Sequence, residues 1–122
     1  MGMENAYGFS KKALSSWCAW RAASLITQGI RLNNINPGPT QTPMMPQFIE
    51  AASQELIENF LGPIARYSTP EEQAWPLVML CSPRMSFVNG VGLATDGGFE
   101  GALFTGQIDF SALIPADMMP TE

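Results

Sequence analysis

The strongest constraint on the fold is a helical stretch that passes directly into a strand. Between about residues 4 and 28, apolar residues recur at steps of three and four, which is typical of an amphipathic α-helix. Gly29 follows, at the place where a helix C-terminus favours a left-handed residue. Residues 30–36 then predict a short strand that ends at Pro37-Gly38-Pro39. A helix that leads into a strand through one glycine is an α/β unit, which implies a parallel sheet.

The apolar face of the first helix contains large side chains whose role the sequence leaves open. Its members are Ala13, Leu14, Trp17, Cys18, Ala22, Leu25 and Ile26. Trp17 is compatible with an ordinary core position and equally with a contact to a partner, because Trp is over-represented among interface anchors. Trp20 is a second candidate for a partner contact.

A second amphipathic pattern covers residues 45–61, in which Phe48 and Phe60 lie on one apolar stripe. Before it comes a loop with the small residues and hydroxyls that can hold a polar ligand, including Thr40 and Thr42. In parallel sheets ligands bind beyond the carboxyl ends of the strands, which is where this loop begins.

Thr69-Pro70-Glu71-Glu72 predicts the start of a further helix. Thr69 is its N-cap, and Glu72 reaches back from the third helical position in a capping box. The two carboxylates are interpreted as helix-start charges, which complement the helix dipole, and not as a catalytic pair. Pro76 predicts a kink or a helix shorter than its apolar run. Residues 91–95 predict the last strand, and residues 99–122 show no clear period.

Composition excludes several classes of function. The formal net charge is −5 with only six Lys and Arg residues, which argues against a nucleic-acid partner. The chain has no histidine, so His-activated nucleophiles and the usual zinc ligand sets are excluded, and no metal site is predicted. Cys18 and Cys81 are predicted to be buried free thiols in a reducing compartment. No apolar run is long enough to span a membrane, and the predicted location is the cytoplasm.

Tyr7 and Lys11 form the most suggestive chemical pair in the chain. They are four residues apart, so on an α-helix both side chains leave the same face. A free phenol has a pKa near 10 and is a poor proton donor or base at neutral pH. A neighbouring ammonium favours the phenolate, which brings such a group towards general acid–base behaviour. A simple surface pair is the alternative interpretation of this spacing.

The ordered set of motifs resembles the second half of the short-chain dehydrogenase/reductase family. The set begins with Tyr7-x-x-x-Lys11, continues with Gly29-Ile30-Arg31-Leu32-Asn33, and then has Pro37-Gly38-x-x-x-Thr42-Pro43. It closes with Thr69-Pro70-Glu71-Glu72, Asn89-Gly90 and Asp96-Gly97-Gly98-Phe99. The resemblance implies an α/β fold, the C-terminal half of a Rossmann-type doubly wound parallel sheet with an inserted helical substrate lid.

The resemblance also implies roles for particular residues. Tyr7 would exchange a proton with the substrate oxygen, and Lys11 would favour the phenolate and bind the nicotinamide ribose of NAD or NADP. Thr42 and the backbone of Pro37, Gly38, Pro39 and Thr40 would hold the carboxamide end of the cofactor. The lid would cover about residues 44–66 and line an apolar pocket through Met44, Met45, Phe48 and Phe60. A helix that packs this stripe on the core is the alternative.

By the same resemblance, the complete protein transfers hydride between a nicotinamide cofactor and a small lipophilic alcohol or its carbonyl, such as a hydroxysteroid or an aryl alcohol. A homo-dimer or homo-tetramer is implied. The family's glycine-rich nucleotide-binding half and the serine that precedes the tyrosine do not occur in the sequence. We therefore expect the chain by itself neither to bind NAD(H) or NADP(H) nor to turn over an alcohol. The rival hypothesis is a non-catalytic half-domain that serves only for assembly.

Overall fold

The computed structural model describes residues 3–109 and 111, with side chains from residue 6 onward. The helices are α1 (Met3–Leu25), α2 (Met45–Ala52), α3 (Gln54–Glu58), α4 (Pro70–Cys81) and α5 (Phe99–Phe104), and the strands are β1 (Asn34–Pro37) and β2 (Gly92–Thr95). Short 3₁₀ turns cover Ile26–Gln28 and Pro83–Met85. In this described part, no helix combines the length and apolar character needed to cross a membrane.

The chain divides into two compact units. The first comprises the described residues up to Asn36 together with Trp75–Leu93. The second comprises Pro37–Ala74 together with the described residues from Ala94 onward. Each unit is described by itself below.

In the first unit, α1 ends as the sequence predicts. One 3₁₀ turn follows the helix, and Gly29 adopts a left-handed conformation with φ of 76°. The Gly29 N–H donates to the Ile26 carbonyl at 3.0 Å, which satisfies one of the carbonyl groups left open at a helix end. The predicted helix over residues 4–28 and its glycine terminator are confirmed.

The buried face of α1 is narrower than the predicted apolar face and is made of small side chains. Cys18 and Ala22 are buried, whereas Trp17 is 50% exposed and Trp20 is 71% exposed. The reason is that the backbone at Gly90 lies very close to α1. A Cβ at Gly90 would be 3.3 Å from the Ala22 Cβ, which leaves room only for small side chains. Asn89 Nδ2 also donates to the Ala22 carbonyl at 3.1 Å. Trp17 is therefore not a core residue within this chain.

The two strands pair in parallel. The Asn34 N–H donates to the Val91 carbonyl at 3.0 Å, and four residues further on the Gly38 N–H donates to the Thr95 carbonyl at 3.2 Å. Both partners advance in the same direction, as parallel pairing requires. This confirms the α/β prediction, although β1 is shorter than the predicted strand over residues 30–36.

Side-chain amides, together with one backbone bond from the Gly90 N–H to the Leu32 carbonyl at 2.9 Å, hold the residues that precede β1. The Leu32 N–H donates to Asn89 Oδ1 at 2.9 Å. Asn33 Nδ2 donates to the Val88 carbonyl at 3.1 Å, and Asn33 Oδ1 accepts from the Val91 N–H at 3.1 Å. Because these amides satisfy the backbone, the ladder begins only at Asn34.

In the second unit, the amphipathic pattern over residues 45–61 forms two short helices and not one continuous helix. Ser53 has a positive φ of 72°, which a continuous α-helix cannot contain, and it separates α2 from α3. Its hydroxyl accepts from the Leu56 N–H at 3.3 Å. Ser53 thus ends one helix and caps the next, a role that serine favours over helix interiors.

The capping box at the start of α4 is confirmed. The Glu72 N–H donates to Thr69 Oγ1 at 3.3 Å, and the Thr69 N–H donates to Glu72 Oε2 at 2.9 Å. Two guanidinium nitrogens of Arg66 also bind the two Glu72 oxygens, at 2.7 and 2.8 Å. The Glu72 carboxylate therefore has two structural partners, the Thr69 N–H and Arg66, which agrees with its interpretation as a helix-start charge.

In the later part of α4, one of the two alternatives for Pro76 fails, and the predicted burial of Cys81 is wrong. The helix contains Pro76 and still reaches Cys81, so the alternative of a shorter helix fails. Cys81 is an exposed free thiol, whereas Cys18 is a buried free thiol as predicted. Leu80 is the buried residue at this end of α4, which places the adjacent Cys81 on another side of the helix.

We expect the Arg66–Glu72 pair to make unfolding sensitive to acid. The hydrogen bonds from Arg66, and then that from the Thr69 backbone, lower the pKa of Glu72 from 4.5 to about 2. The resulting stabilisation is present above pH 4.5 and is lost as the pH falls towards 2. Both side chains are about half exposed, so solvent screening keeps the effect small.

Urea unfolding across this pH range tests the expectation. Glu72→Gln should flatten the acid decline of the unfolding free energy, because it removes the titrating group. Glu71→Gln is the matched control in the same helical turn and should retain the wild-type decline. Identical pH profiles for Glu72→Gln and wild type would contradict the role of this pair.

Candidate functional site

Tyr7 and Lys11 lie together on α1, in the first unit. Lys11 Nζ is 5.2 Å from the centroid of the Tyr7 ring, within the range of a cation–π contact. Tyr7 is 54% exposed, so the phenol can be reached from solvent. The predicted sharing of one helix face is confirmed.

Ser10 does not contribute a free hydroxyl to this pair. Its Oγ donates to the Tyr7 carbonyl at 2.7 Å, a local bond within the helix. In the described part of the chain, no group of three or more His, Cys, Asp and Glu side chains is placed to hold a metal ion. The chemical character of this face of α1 therefore comes from Tyr7 and Lys11.

In the second unit, the loop after β1 approaches the end of β2 very closely. A Cβ at Gly38 would lie 2.9 Å from the Asp96 Cα, a separation that a side chain cannot adopt without moving the backbone. Glycine is required at this point for that reason. The path of Pro37, Gly38 and Pro39 is thus determined by packing against backbone.

The loop then forms an isolated parallel bridge between Thr40 and Ser68. The Ser68 N–H donates to the Pro39 carbonyl at 3.0 Å, and the Gln41 N–H donates to the Ser68 carbonyl at 2.9 Å. In such a bridge the N–H and C=O of the middle residue, Thr40, point away from Ser68. Within the described residues, neither of these two Thr40 groups makes a hydrogen bond.

Four polar side chains, Gln73, Ser68, Thr40 and Thr95, form what we call the Gln73 network. Gln73 Nε2 donates to Ser68 Oγ and to the Thr95 carbonyl, each at 2.9 Å. Thr95 Oγ1 donates to Gln73 Oε1 at 2.6 Å. The hydroxyls of Ser68 and Thr40 are 2.9 Å apart, and the Thr40 hydroxyl donates to the Gly38 carbonyl at 2.9 Å. The network therefore connects α4, the end of β2 and the loop after β1.

A cavity of about 150 Å³ lies beside this network. Leu61, Ile64 and Pro39 contribute apolar surface, and Arg66 and Glu72 line it as an ion pair. Because Arg66 holds the pKa of Glu72 near 2, this carboxylate stays ionised at neutral pH and is unsuited to general acid catalysis.

The four residues assigned to the lid also belong to the second unit, but their surroundings differ. Met44 is 56% exposed and Phe48 is 36% exposed. Met45 opens α2 and is half-buried. Phe60 lies after α3, and its ring centroid is 5.3 Å from that of Phe99 at an angle of 49°. The Phe60 ring therefore has a packing partner of its own, in a geometry favourable for aromatic pairs.

The structure thus brings the predicted residues together in two groups. Tyr7 and Lys11 form one group in the first unit, and the loop and lid residues belong to the second. Sequence reasoning missed Arg66, Ser68 and Gln73. An arginine shortly before a capping box is a usable signal for the Arg66–Glu72 pair. Gln73 has no comparable signal, because its partner Thr95 is 22 residues away.

Comparisons with known proteins identify the relatives of this chain. Residues 1–100 match the family model described as enoyl-(acyl carrier protein) reductase. The 3-alpha-hydroxysteroid dehydrogenase/carbonyl reductase of Comamonas testosteroni is 36% identical over 99 residues, covering 80% of this chain and 38% of that protein. The 2,5-dichloro-2,5-cyclohexadiene-1,4-diol dehydrogenase of Sphingobium indicum is 40% identical over 98 residues, covering 80% of this chain and 39% of that protein.

A solved short-chain dehydrogenase/reductase from Brucella melitensis shares the fold. Its TM-score is 0.64 at 31% identity, over 76% of this chain and 37% of that one. The chain spans about two fifths of the length of the curated relatives it matches, 38% and 39% in the two cases above. Together with the parallel pairing of β1 and β2, these matches confirm the predicted Rossmann-type α/β fold. The chain belongs to the short-chain dehydrogenase/reductase family.

Proposed function

We propose that the whole protein is an oxidoreductase that uses NAD or NADP to interconvert a lipophilic alcohol and its carbonyl compound. The observation that carries this proposal is the position of Lys11 Nζ, 5.2 Å from the centroid of the exposed Tyr7 ring. Membership of a family with dehydrogenases among its named members supports it. The surface-pair alternative does not account for this pair occurring with the remaining family motifs in their order.

In this proposal Tyr7 is the general acid–base. Its hydroxyl donates a proton to the substrate oxygen in the direction of carbonyl reduction and accepts it back in the direction of alcohol oxidation. Lys11 places its positive charge beside this group, with Nζ 5.2 Å from the centroid of the Tyr7 ring. Lys11 also binds the nicotinamide ribose hydroxyls.

The loop after β1 fits the carboxamide end of a nicotinamide cofactor. A carboxamide both donates and accepts hydrogen bonds. The Thr40 N–H and C=O offer one donor and one acceptor on the side of the loop that faces away from Ser68. Pro37, Gly38 and Pro39 shape the approach, and Thr42 supplies a further hydroxyl. When bound, the cofactor supplies or accepts the hydride.

The proposed substrate class is lipophilic. Met44, Met45 and Phe48 present adaptable apolar surface around the start of α2, and the Phe60 ring packs against Phe99. The two curated relatives are named for a hydroxysteroid and for a chlorinated cyclic diol, which are bulky ring compounds. We infer that this segment is a lid over a substrate of similar character.

Assembly through α1 is the second candidate role, and it is compatible with the first. Trp17 and Trp20 are 50% and 71% exposed, although Trp is costly to leave in water. A homo-dimer or homo-tetramer with contacts on this helix would cover them. A protein that only assembles, without catalysis, would show the same exposure, so the catalytic proposal depends on Tyr7.

We expect Tyr7→Phe in the full-length protein to lower turnover by about 10²–10⁴, the usual contribution of general acid–base catalysis. Cofactor affinity should stay near the wild-type value, because the ring that contacts Lys11 is retained. Steady-state kinetics and cofactor titration test this. Tyr67→Phe is the control, since Tyr67 is the other tyrosine of the chain. Wild-type turnover in Tyr7→Phe would exclude the assigned role, and no turnover in wild type would favour the assembly module.

Lys11→Ala should weaken cofactor binding and also slow the reaction, because Lys11 is assigned both to the ribose and to Tyr7. Lys12→Ala removes the same charge about 100° around the helix and should affect both properties little. Calorimetric titration with NADH and NADPH measures the first effect, and single-turnover rates measure the second. An unchanged dinucleotide affinity in Lys11→Ala would remove the ribose role.

Phe48→Ala should change the ranking of substrates more than it changes cofactor affinity. One apolar contact in a pocket discriminates by about 1–3 kcal/mol, so the change should be graded across alcohols of increasing size. Phe60→Ala is the comparison variant and should mainly lower the melting temperature, because its ring packs on Phe99. A lower melting temperature without any change in substrate ranking in Phe48→Ala would assign Phe48 to the core as well.

A further inference from the structure

We propose that Gln73 is a positioning residue for the cofactor. It acts through Ser68 and Thr40, and its effect is to present the outward N–H and C=O of Thr40 to the carboxamide. The inference rests on the proposed function. It adds a residue that none of the motifs of the sequence singled out and that lies on α4, away from the loop it controls.

The bonds of Gln73 determine which way its amide points. Nε2 donates to the Thr95 carbonyl at 2.9 Å, and Oε1 accepts from the Thr95 hydroxyl at 2.6 Å. Exchanging the two amide atoms would place Oε1 against a carbonyl oxygen, which cannot donate a proton. Thr95 is the last residue of β2, so the end of a strand orients the amide.

The second hydrogen bond of Gln73 Nε2 links this oriented amide to the loop after β1. Its acceptor, Ser68 Oγ, lies 3.3 Å from the Pro39 carbonyl and 2.9 Å from the Thr40 hydroxyl. The Thr40 hydroxyl in turn donates to the Gly38 carbonyl. The Gly38 carbonyl, the Pro39 carbonyl and the Thr40 hydroxyl are therefore each hydrogen-bonded within the second unit.

The two sides of Thr40 consequently differ. The side that faces Ser68 is held by two backbone bonds of the bridge and by the side chains of the Gln73 network. The other side carries the Thr40 N–H and C=O. A cofactor group that binds there meets a backbone that is already ordered, so little conformational entropy is lost on binding.

The capping box does not need Gln73, which separates this role from helix formation. Thr69, Glu72 and Arg66 satisfy the start of α4 by themselves. Substitution of Gln73 should therefore leave α4 folded while it releases Ser68 and Thr95. An apolar side chain at this position would remove the Gln73 bonds to these half-buried residues and leave the loop held by fewer directional bonds, which favours a shift of the loop.

The test compares ligands with and without the nicotinamide ring. NADH, NADPH and adenosine diphosphate ribose are titrated calorimetrically into the full-length wild type and Gln73→Leu. We expect the Kd of the preferred dinucleotide to rise about fivefold to tenfold in Gln73→Leu, equivalent to the net contribution of one hydrogen bond. The Kd of adenosine diphosphate ribose should stay within about twofold, because that ligand lacks the ring that the loop would hold.

Two further variants keep the result interpretable. Gln73→Glu retains the acceptor for the Thr95 hydroxyl but loses the donor to Ser68, so it should also weaken the dinucleotide selectively, even if Gln73→Leu does not fold. Gln107→Leu is the matched control, since Gln107 makes one exposed side-chain bond, to Thr105. It should leave both affinities unchanged.

The outcomes separate the inference from the proposed function. Selective loss of dinucleotide affinity in Gln73→Leu and Gln73→Glu supports the inference. Equal loss for both ligands, or no loss for either, overturns it while the proposed function stands. If wild type binds neither dinucleotide, the proposed function fails, and the inference fails with it.

Discussion

The parallel pairing of β1 with β2 is the interaction on which the rest of the structure depends. It places Gly38 beside Thr95 and Asp96, although these residues lie 57 and 58 positions further along the chain. Parallel strands require a long connection, and here that connection contains α2, α3 and α4. The loop after β1 and the network that holds it exist only because these two strand ends meet.

Side-chain amides bind the backbone groups next to the short strands that the strand pairing leaves open. Asn33 and Asn89 occupy the backbone groups that precede β1 and β2, and Gln73 occupies those at the end of β2. All three are half-buried, where an amide left without partners would be costly. Bonds of this kind orient a loop more narrowly than apolar contacts do, because each has a preferred direction. This is why we assign Gln73 a part in positioning the cofactor.

Burial of apolar side chains is sparse in comparison. In the described part of the chain, the buried apolar residues are Cys18, Ala22, Leu80 and Ala102. Large side chains such as Trp20 and Phe87 stay exposed. Apolar surface of this extent favours association with other protein surfaces. This exposed apolar surface agrees with the proposed assembly through α1. The chain spans about two fifths of the length of its curated relatives, 38% and 39% in the two cases above.

The sequence by itself determined the features that depend on near neighbours. Tyr7 and Lys11 share a helix face, Gly29 ends α1, and Thr69 with Glu72 starts α4, because each depends on residues within one or two turns. The tertiary structure decided the rest. Ser53 divides the predicted helix, Cys18 and Ala22 are buried while Trp17 is not, and Gln73 reaches Thr95. These outcomes depend on which distant segments pack together, and neither periodicity nor spacing carries that information.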